Sequence, residues 1–299
     1  MTLSCRKYFL TGVSGFVGKS VISFFGEDNF KIWKRNESFQ LDGADAVIHL
    51  AGKAHDFKNT NSSQEYYEVN TELTKKVYDA FLASEANVFI TLSSVKAVAD
   101  QVEGELTEEH NPNPVTHYGK SKLLAEEYFF SKPRKENKRI YVLRPCMIHG
   151  PGNKGNLNLL YNIVSKGLPW PLGAFENKRS FCSIDNLMFI FRELIEREDI
   201  PSGIYNVADD EPLSTNELIG LIAQSQNRSL KIWNISKNFI EGVVSIGDKL
   251  HLPLNTERLR KLTSSYVVSN VKIKVAIGKS LPVSSREGLL NTFKSFNCY

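Results

Sequence analysis

The sequence predicts an α/β protein: a doubly wound parallel sheet followed by a smaller α/β region. Three observations predict it. Short apolar runs alternate with helix-period segments along the first half of the chain. The runs are apolar throughout and not at every second residue, as in strands covered on both faces. The first of them enters a turn of regularly spaced glycines that opens a helix.

Taken in order, Tyr8-Phe9-Leu10 is a strand that runs into Thr11-Gly12-Val13-Ser14-Gly15-Phe16-Val17-Gly18, with helix from Lys19. Glycines three apart suit a sharp strand-to-helix turn: the first tolerates unusual backbone angles, the second lets a pyrophosphate approach, and the third lets the helix pack on the strand. The helix N-terminus adds free N–H groups and a partial positive charge. Phe30 to Trp33 is the second strand. Ala46 to Leu50 is a buried strand whose tip, Ala51-Gly52, is small enough to pass a ligand closely. From Gln64 to Ala86, Val69, Leu73, Val77, Ala80 and Phe81 recur at helical spacing. Val88 to Leu92 is the next strand and ends at Ser93-Ser94. A helix with Leu123, Leu124 and Phe129 on its inner face follows, then a strand at Ile140 to Leu143. In such sheets ligands lie off the carboxyl ends of the strands, so Gly12, Ala51, Ser94 and the chain after Leu143 should meet at one crevice. Further on, 157–166 reads as a helix leaving the main domain, 181–195 as a strand and a helix returning to it, and 211–224 as an amphipathic helix. Residues 230–254 are mixed in pattern and receive no element, and 263–275 carries β-branched residues that blur its start.

Tyr118 and Lys122 stand four apart in the predicted helix and share a face. A lysine beside a phenol favours its ionised form, and a tyrosine made acidic in this way can exchange a proton during hydride transfer. Alone, the pair is a common feature of surface helices; the glycine turn and the strand rhythm give it meaning.

With those residues in place the chain resembles the extended short-chain dehydrogenase/reductase family, the nucleotide-sugar epimerases, dehydratases and ketoreductases with a Rossmann-type domain. The matching residues are the Thr11 to Gly18 turn, His49-Leu50-Ala51-Gly52, Val69-Asn70-Thr71, Leu92-Ser93-Ser94, Tyr118-x-x-x-Lys122, Arg144-Pro145 and His149-Gly150-Pro151-Gly152. Arg179-Ser180-Phe181, Asp185-Asn186-Leu187, Tyr205-Asn206-Val207 and Pro282 to Leu289 extend the likeness. It covers nearly the whole chain, in order. It implies a dinucleotide-binding domain at 1–150, with 180–207 returning to it, and a nucleotide-sugar domain at 151–179 and 208–299.

The same resemblance implies the roles. Ser94 hydrogen-bonds the reacting sugar oxygen, with Ser93 as the fallback. Tyr118 is the acid/base, and Lys122 holds the nicotinamide ribose and lowers the tyrosine pKa. Gly12, Ser14, Gly15, Phe16, Val17, Gly18, Leu50, Ala51, Gly52 and Asn70 line the cofactor, while Asn156 and Arg179 contact the sugar-nucleotide pyrophosphate. Arginine suits that task through its two-pronged, permanently charged donor set. The Asp-Glu pair of a dehydratase is replaced by Val95-Lys96, which leaves keto reduction or epimerisation at one carbon. The nearest subgroup comprises 4-ketoreductases and 4-epimerase-like proteins acting on UDP-linked N-acetylated 6-deoxyhexoses for bacterial surface polysaccharides. Ser-Ser-x-Lys after the strand, His55 and the Lys154-Gly155-Asn156 stretch are shared with it. NAD(P) is the implied cofactor. Lys34 and Arg35 after the second strand lean towards NADP, whose 2′-phosphate a base would meet, although such a pair is also an ordinary solvated edge. Residues 36–45 are too short for the usual third strand and the helix before it, so an abbreviated adenine pocket is expected, with Asp42 as a stand-in for its acid.

Length and composition agree. A chain of 299 residues accommodates two such domains, and a formal net charge of +4 suits diphosphate-linked substrates without arguing for nucleic acid. No run approaches the ~20 apolar residues of a membrane span, and no apolar leader precedes the first strand, so a cytoplasmic protein with no membrane partner is expected. The four cysteines and six histidines show no metal-ligand spacing, so no metal is expected, and His49 reads as a strand-end residue. Pairing of the 64–86 helix with the Tyr118 helix would give a homodimer. A non-catalytic NAD(P)-binding regulator of the same fold is the reading from another class, against which the joint presence of Ser94, Tyr118 and Lys122 weighs.

Overall fold

Tyr8–Thr11 (β1) is buried along its whole length, and every other strand of the main sheet is placed by reference to it. The computed structural model describes residues 6–53, 63–153, 155–249 and 255–296. His55 and Lys154 lie outside these. After β1 come Phe16–Phe25 (α1), Phe30–Ile32 (β2), Ala46–His49 (β3), Ser63–Tyr67 (α2), Leu73–Ala83 (α3) and Val88–Leu92 (β4). Glu105–Leu106 (β5), His117–Ser131 (α4), Arg139–Pro145 (β6) and Met147–His149 (β7) follow. Next are Asn156–Ser165 (α5), Phe181–Ser183 (β8), Ile184–Glu196 (α6), Gly203–Val207 (β9) and Thr215–Ser225 (α7). Lys237–Lys249 (α8), Thr256–Thr263 (α9), Val267–Val268 (β10), Val271–Ile277 (α10) and Ser285–Ser295 (α11) complete the described chain.

Six strands form one parallel sheet in the order β2-β1-β3-β4-β6-β9. Tyr8 pairs with Phe30 on one side and Ala46 on the other, Ala46 with Val88, Val88 with Arg139, and Tyr141 with Gly203. The chain changes direction across the sheet at β1, the topological switch point beside which such folds bind ligands. Period two along the strands divides the core. Leu10, Ile48, Ile90 and Leu143 pack with Leu187, Phe191 and Leu194 of α6, while Phe9, Val47, Phe89 and Val142 pack with Tyr78, Phe81 and Phe129 of α3 and α4. A further core joins α5, β8, α7, α8, α9 and α11 through Leu160, Trp170, Leu218, Ile222, Val244 and Phe293.

Four local expectations change. The single helix expected over 64–86 is broken by a π-turn at Glu68–Glu72, because Asn70 and Thr71 bond outward to other elements. Leu124, expected on the inner face of α4, is 43% exposed; Ala125, Glu126 and Phe129 face inward instead. α7 begins at Thr215 and not at Glu211, since Arg179 and Leu213 exchange backbone hydrogen bonds and Ser214 with Glu217 closes a capping box. The unassigned 230–254 stretch contains α8, which Gly242, Gly247 and outward-facing apolar residues conceal in the sequence. Residues 33–45 contain neither helix nor strand, as the shortened segment led us to expect.

Candidate active site

The site assembles at the carboxyl ends of β1, β3, β4 and β6. Gly12 has φ +76, and a Cβ there would overlap the Leu50 carbonyl, while one on Gly18 would overlap the Gly12 oxygen. Gly15 is open: its Cβ would meet only Gly12 O, at 3.4 Å. Gly15 is also the N-cap of α1 and offers the first-turn N–H groups no side-chain partner. Ser14 is exposed beside it, with Phe16 and Val17 half-buried. A diphosphate fits here, since the turn brings bare backbone donors and a helix N-terminus to one open spot. The backbone of Gly12 to Gly15 and the start of α1 would hold a dinucleotide. Lys34 and Arg35 are exposed past the end of β2, the edge strand.

The tip of β3 is fixed by a directed proton chain. Thr11 Oγ1 accepts the N–H groups of Leu50 and Ala51 at 3.2 and 3.1 Å, so its own proton goes to His49 Nδ1 at 2.8 Å. His49 Nε2–H then donates to Thr74 Oγ1 at 2.8 Å. Burial, aided by the charge of Lys122, lowers the His49 pKa to about 3, so the ring stays neutral. It is a strut for Leu50, Ala51 and Gly52.

Ser94 lies two residues beyond β4 and Tyr118 in the first turn of α4. Thr116 caps that turn by accepting Gly119 N–H, and the Asp100 carboxylate accepts Val115 N–H at 3.0 Å. Gly119 lets α4 reach the Ser94 turn, for a Cβ there would overlap the Lys96 carbonyl. Tyr118 and Ser94 are thereby hydrogen-bonded through their side chains. Ser94 Oγ also accepts Lys96 N–H at 3.2 Å. Burial pushes the Tyr118 phenol above its ordinary pKa, and the bond to Ser94 pulls it partly back. The packed ring of Tyr66, edge-on at 6.1 Å, adds to the upward push. Lys122 Nζ donates to Leu92 O at 2.9 Å and lies 3.2 Å from where a Gly52 Cβ would stand. Its pKa is lowered to about 8 by burial, against the opposing pull of Glu126. The expected acidification of the tyrosine by this lysine is therefore not the dominant effect: the phenol is shifted upward.

Asn70 holds the assembly from behind. Its Oδ1 accepts Lys53 N–H at 2.7 Å, and its Nδ2 donates to Lys53 O and Ser121 Oγ, both at 3.1 Å. Thr71 Oγ1 donates to Ser121 O at 2.7 Å. The amide expected at the cofactor is fully buried and joins the β3 tip to α4. One turn beyond Lys122, Glu126 receives Arg144 through Nε and Nη2, at 3.0 and 2.5 Å, with both side chains at most 3% exposed. Sequence reasoning missed this pair, although Tyr118, Lys122 and Glu126 continue one i, i+4 row. Ser93 Oγ is buried with no hydrogen-bond partner among the described residues.

Arg179 and Asn156 stand on the second core's side of the cleft. Arg179 Nη1 donates to Lys261 O at 2.5 Å. Burial lowers the pKa of Lys96, Asp100 opposes and the charge of Arg179 adds to the fall; the Lys96 ammonium sits 4.4 Å from the Tyr266 ring centroid and donates to Asp100 O. Burial lowers the pKa of Arg179 as well. Asn156 is exposed at the start of α5, where Asn158 Oδ1 accepts Gly155 N–H. Among the downstream signatures, Asn186 has a structural part. Asp209 accepts Ser183 N–H, Asn186 Nδ2 at 2.7 Å and His149 Nε2 at 3.3 Å, tying four segments together. A cavity of about 390 Å³, lined by Asp45, Asn87, Val88 and Arg139, opens at the opposite, amino ends of the strands and is separate from this chemistry. Among the described residues no group of three or more His, Cys, Asp or Glu could hold a metal ion.

Sheet order and glycine turn define a dinucleotide-binding fold, with a serine, a tyrosine and a lysine gathered at its strand ends. The chain belongs to the NAD dependent epimerase/dehydratase family, whose model matches residues 28–208. It is thus an NAD(P)-binding enzyme. It is 30% identical over 251 residues to a UDP-glucose 4-epimerase of Vibrio cholerae, covering 73% of this chain and 75% of that one. It is 26% identical over 297 residues to the N-acetyl-alpha-D-glucosaminyl-diphospho-ditrans,octacis-undecaprenol 4-epimerase of Escherichia coli O157:H7, covering 89% and 83%. Among solved structures, UDP-glucuronic acid 4-epimerase from Bacillus cereus in complex with NAD superposes with a TM-score of 0.74 at 18% identity, over 98% of this chain and all of that one.

Proposed function

We propose that this enzyme reduces the 4-keto group of a UDP-linked, N-acetylated 6-deoxyhexose in surface polysaccharide synthesis. The observation that carries the reading is the Tyr118 phenol bonded to Ser94, with Lys122 on the same helix face against Gly52. A bound nicotinamide supplies the hydride. Tyr118 gives its proton to the sugar oxygen, and its raised pKa keeps that proton in place until charge develops there. Ser94 holds the same oxygen through its hydroxyl, while Lys122, Gly52 and the Gly12 to Gly18 turn fix the cofactor. Arg179, Lys96 and Asn156 face the diphosphate. Lys34 and Arg35 favour NADP. We further propose the division into 1–150 with 180–207 and 151–179 with 208–299, and a homodimer through α3 and α4, where Leu124 and Phe130 are exposed.

A second reading, 4-epimerisation, uses the same residues and is favoured by the 30% identity to a protein of that activity. Tyr118→Phe should lower turnover by about 10²- to 10⁴-fold while NAD(P)H binding, followed by fluorescence, stays nearly intact. Unchanged turnover rejects the mechanism. Stoichiometric NAD(P)H consumption marks a reductase; turnover with tightly retained nucleotide and no added reductant marks an epimerase.

A further inference from the structure

Tyr266 joins the two sides of the cleft through a single residue. It is buried in one apolar cluster with Val95 and Val98, on the turn that follows Ser94. Its hydroxyl donates to Ala99 O at 2.7 Å, with Val95 O a second acceptor at 3.3 Å. That turn supports both Ser94 and Tyr118. Ser94 caps it by accepting Lys96 N–H, and the Asp100 carboxylate at its end accepts Val115 N–H at 3.0 Å and Thr116 N–H at 3.4 Å, just before Tyr118. On the other side the backbone of Tyr266 brackets Arg179: its N–H donates to Lys178 O at 2.8 Å, and its carbonyl accepts Ser180 N–H at 3.0 Å. The Tyr266 ring also carries the Lys96 ammonium, 4.4 Å from its centroid.

We propose that Tyr266 is a positioning residue that sets the span between the Ser94 and Tyr118 hydroxyls, which meet the reacting oxygen, and Arg179, which meets the diphosphate. A nucleotide sugar gripped at both ends reacts only when the distance between the grips brings its reacting carbon to Tyr118. Misplacement by about 1 Å costs such a reaction about 10²-fold in rate. Apolar packing is non-directional and would let the 95–100 turn slide over the ring, whereas the bond from the hydroxyl to Ala99 O fixes it. Burial raises the Tyr266 pKa, so the phenol keeps the proton it donates. The brace stands on these hydrogen bonds. Its use, spanning a sugar diphosphate, rests on the function proposed above.

The test compares Tyr266→Phe, which keeps the ring and its contact with Lys96, with Tyr266→Leu, which removes both. On the full chain with NAD(P)H bound, the measurements are kcat and KM with UDP-hexose substrates, the Kd of UDP alone, and amide hydrogen exchange over 95–100. Tyr266→Phe is expected to lower kcat about 10- to 100-fold while KM and the Kd of UDP stay within about twofold of wild type, since UDP needs only the Arg179 end. Exchange at Ala97, Val98 and Ala99, whose N–H groups bond within the turn, should quicken at least about tenfold while β1 and β3 stay protected. Tyr266→Leu should add a several-fold rise in KM and in the Kd of UDP, through release of Lys96. Unchanged kcat or unchanged exchange in Tyr266→Phe overturns the proposal. So does a uniform loss, in which kcat, UDP affinity and NAD(P)H affinity fall together with the melting temperature, the mark of a merely structural residue. If the wild type neither binds UDP nor turns over a UDP-hexose, yet exchange over 95–100 still quickens in Tyr266→Phe, the substrate assignment fails and the brace remains.

Discussion

Glu126→Gln removes a carboxylate from the row Tyr118, Lys122, Glu126 without changing its shape. Lys122 titrates at about 8 with Glu126 pulling that value upward, so loss of the carboxylate moves it further down. Taking a helical i, i+4 separation of about 6 Å and an effective dielectric of about 20, the lost attraction is at most ~2.8 kcal/mol, or about two pH units. The other charges facing Lys122 do not compensate: His49 is neutral, Tyr118 keeps its proton, and Arg144 becomes an unpaired cation two steps away. At pH 8 the protonated fraction of Lys122 would fall from about one half to between about 1 and 10 per cent, while at pH 5 it would stay at about nine-tenths or more. The assay is kcat/KM against pH with NAD(P)H and candidate UDP-hexose substrates. The alkaline limb should move one to two units lower, with activity near pH 5 nearly preserved. A profile that superimposes on wild type refutes the coupling. Because an uncompensated Arg144 costs about 3–5 kcal/mol of stability, Glu126→Met/Arg144→Met serves as the companion. It should fold at least as well as wild type and still show a smaller alkaline shift, since the carboxylate is gone but so is the opposing guanidinium.

Lys122→Met should abolish turnover and yet resist denaturant better at neutral pH. The folded pKa is below the unfolded one, so the buried charge costs stability below about pH 8, up to ~3 kcal/mol, and that cost fades as pH rises towards 10.5; urea melts at pH 7 and pH 10.5 check it, and equal differences at both would contradict it. Gly119→Ala should push α4 off the Lys96 carbonyl, lowering kcat by about 10²-fold with a stability loss of about 1–3 kcal/mol; turnover and thermal unfolding measured together decide whether the site moved or the fold was lost.

What the sequence disclosed followed from periodicity and local chemistry. β1, β3, β4 and β6 are apolar at successive positions because helices cover both faces of the sheet, and that pattern needs no knowledge of partners. The Gly12 turn was legible because its constraints are local to eight residues. α8 was not, since only three dimensions reveal that Phe239, Val243 and Ile246 stand outside a core that Ile240 and Val244 enter. The break at Glu68–Glu72 and the hydrogen bonds of Asn70 were hidden for the same reason: Lys53 is 17 residues away in sequence and Ser121 is 51. The direction of the Tyr118 shift was misjudged because spacing shows that a cation is near but not how deeply the phenol is buried.

The way α4 is held explains why so many polar groups collect behind the catalytic trio. From Tyr118 to Glu126 its buried positions are Gly119, Ser121, Ala125 and Glu126, which have little apolar surface to bury; only at Phe129 does the helix enter the aromatic core. Hydrophobic burial is non-directional and would leave the first two turns free to slide by fractions of an ångström. Hydrogen bonds to Ser121 from Asn70 and Thr71, the Thr116 cap, and the paired guanidinium and carboxylate of Arg144 and Glu126 are directional and fix both rotation and depth. Each clamp starts from a different element, the π-turn, the loop before α4 and β6, so displacement of the phenol or ammonium must break contacts on several sides at once. A proton donor that has to meet its acceptor within a few tenths of an ångström is better served by that arrangement than by a greasier and more stable interface.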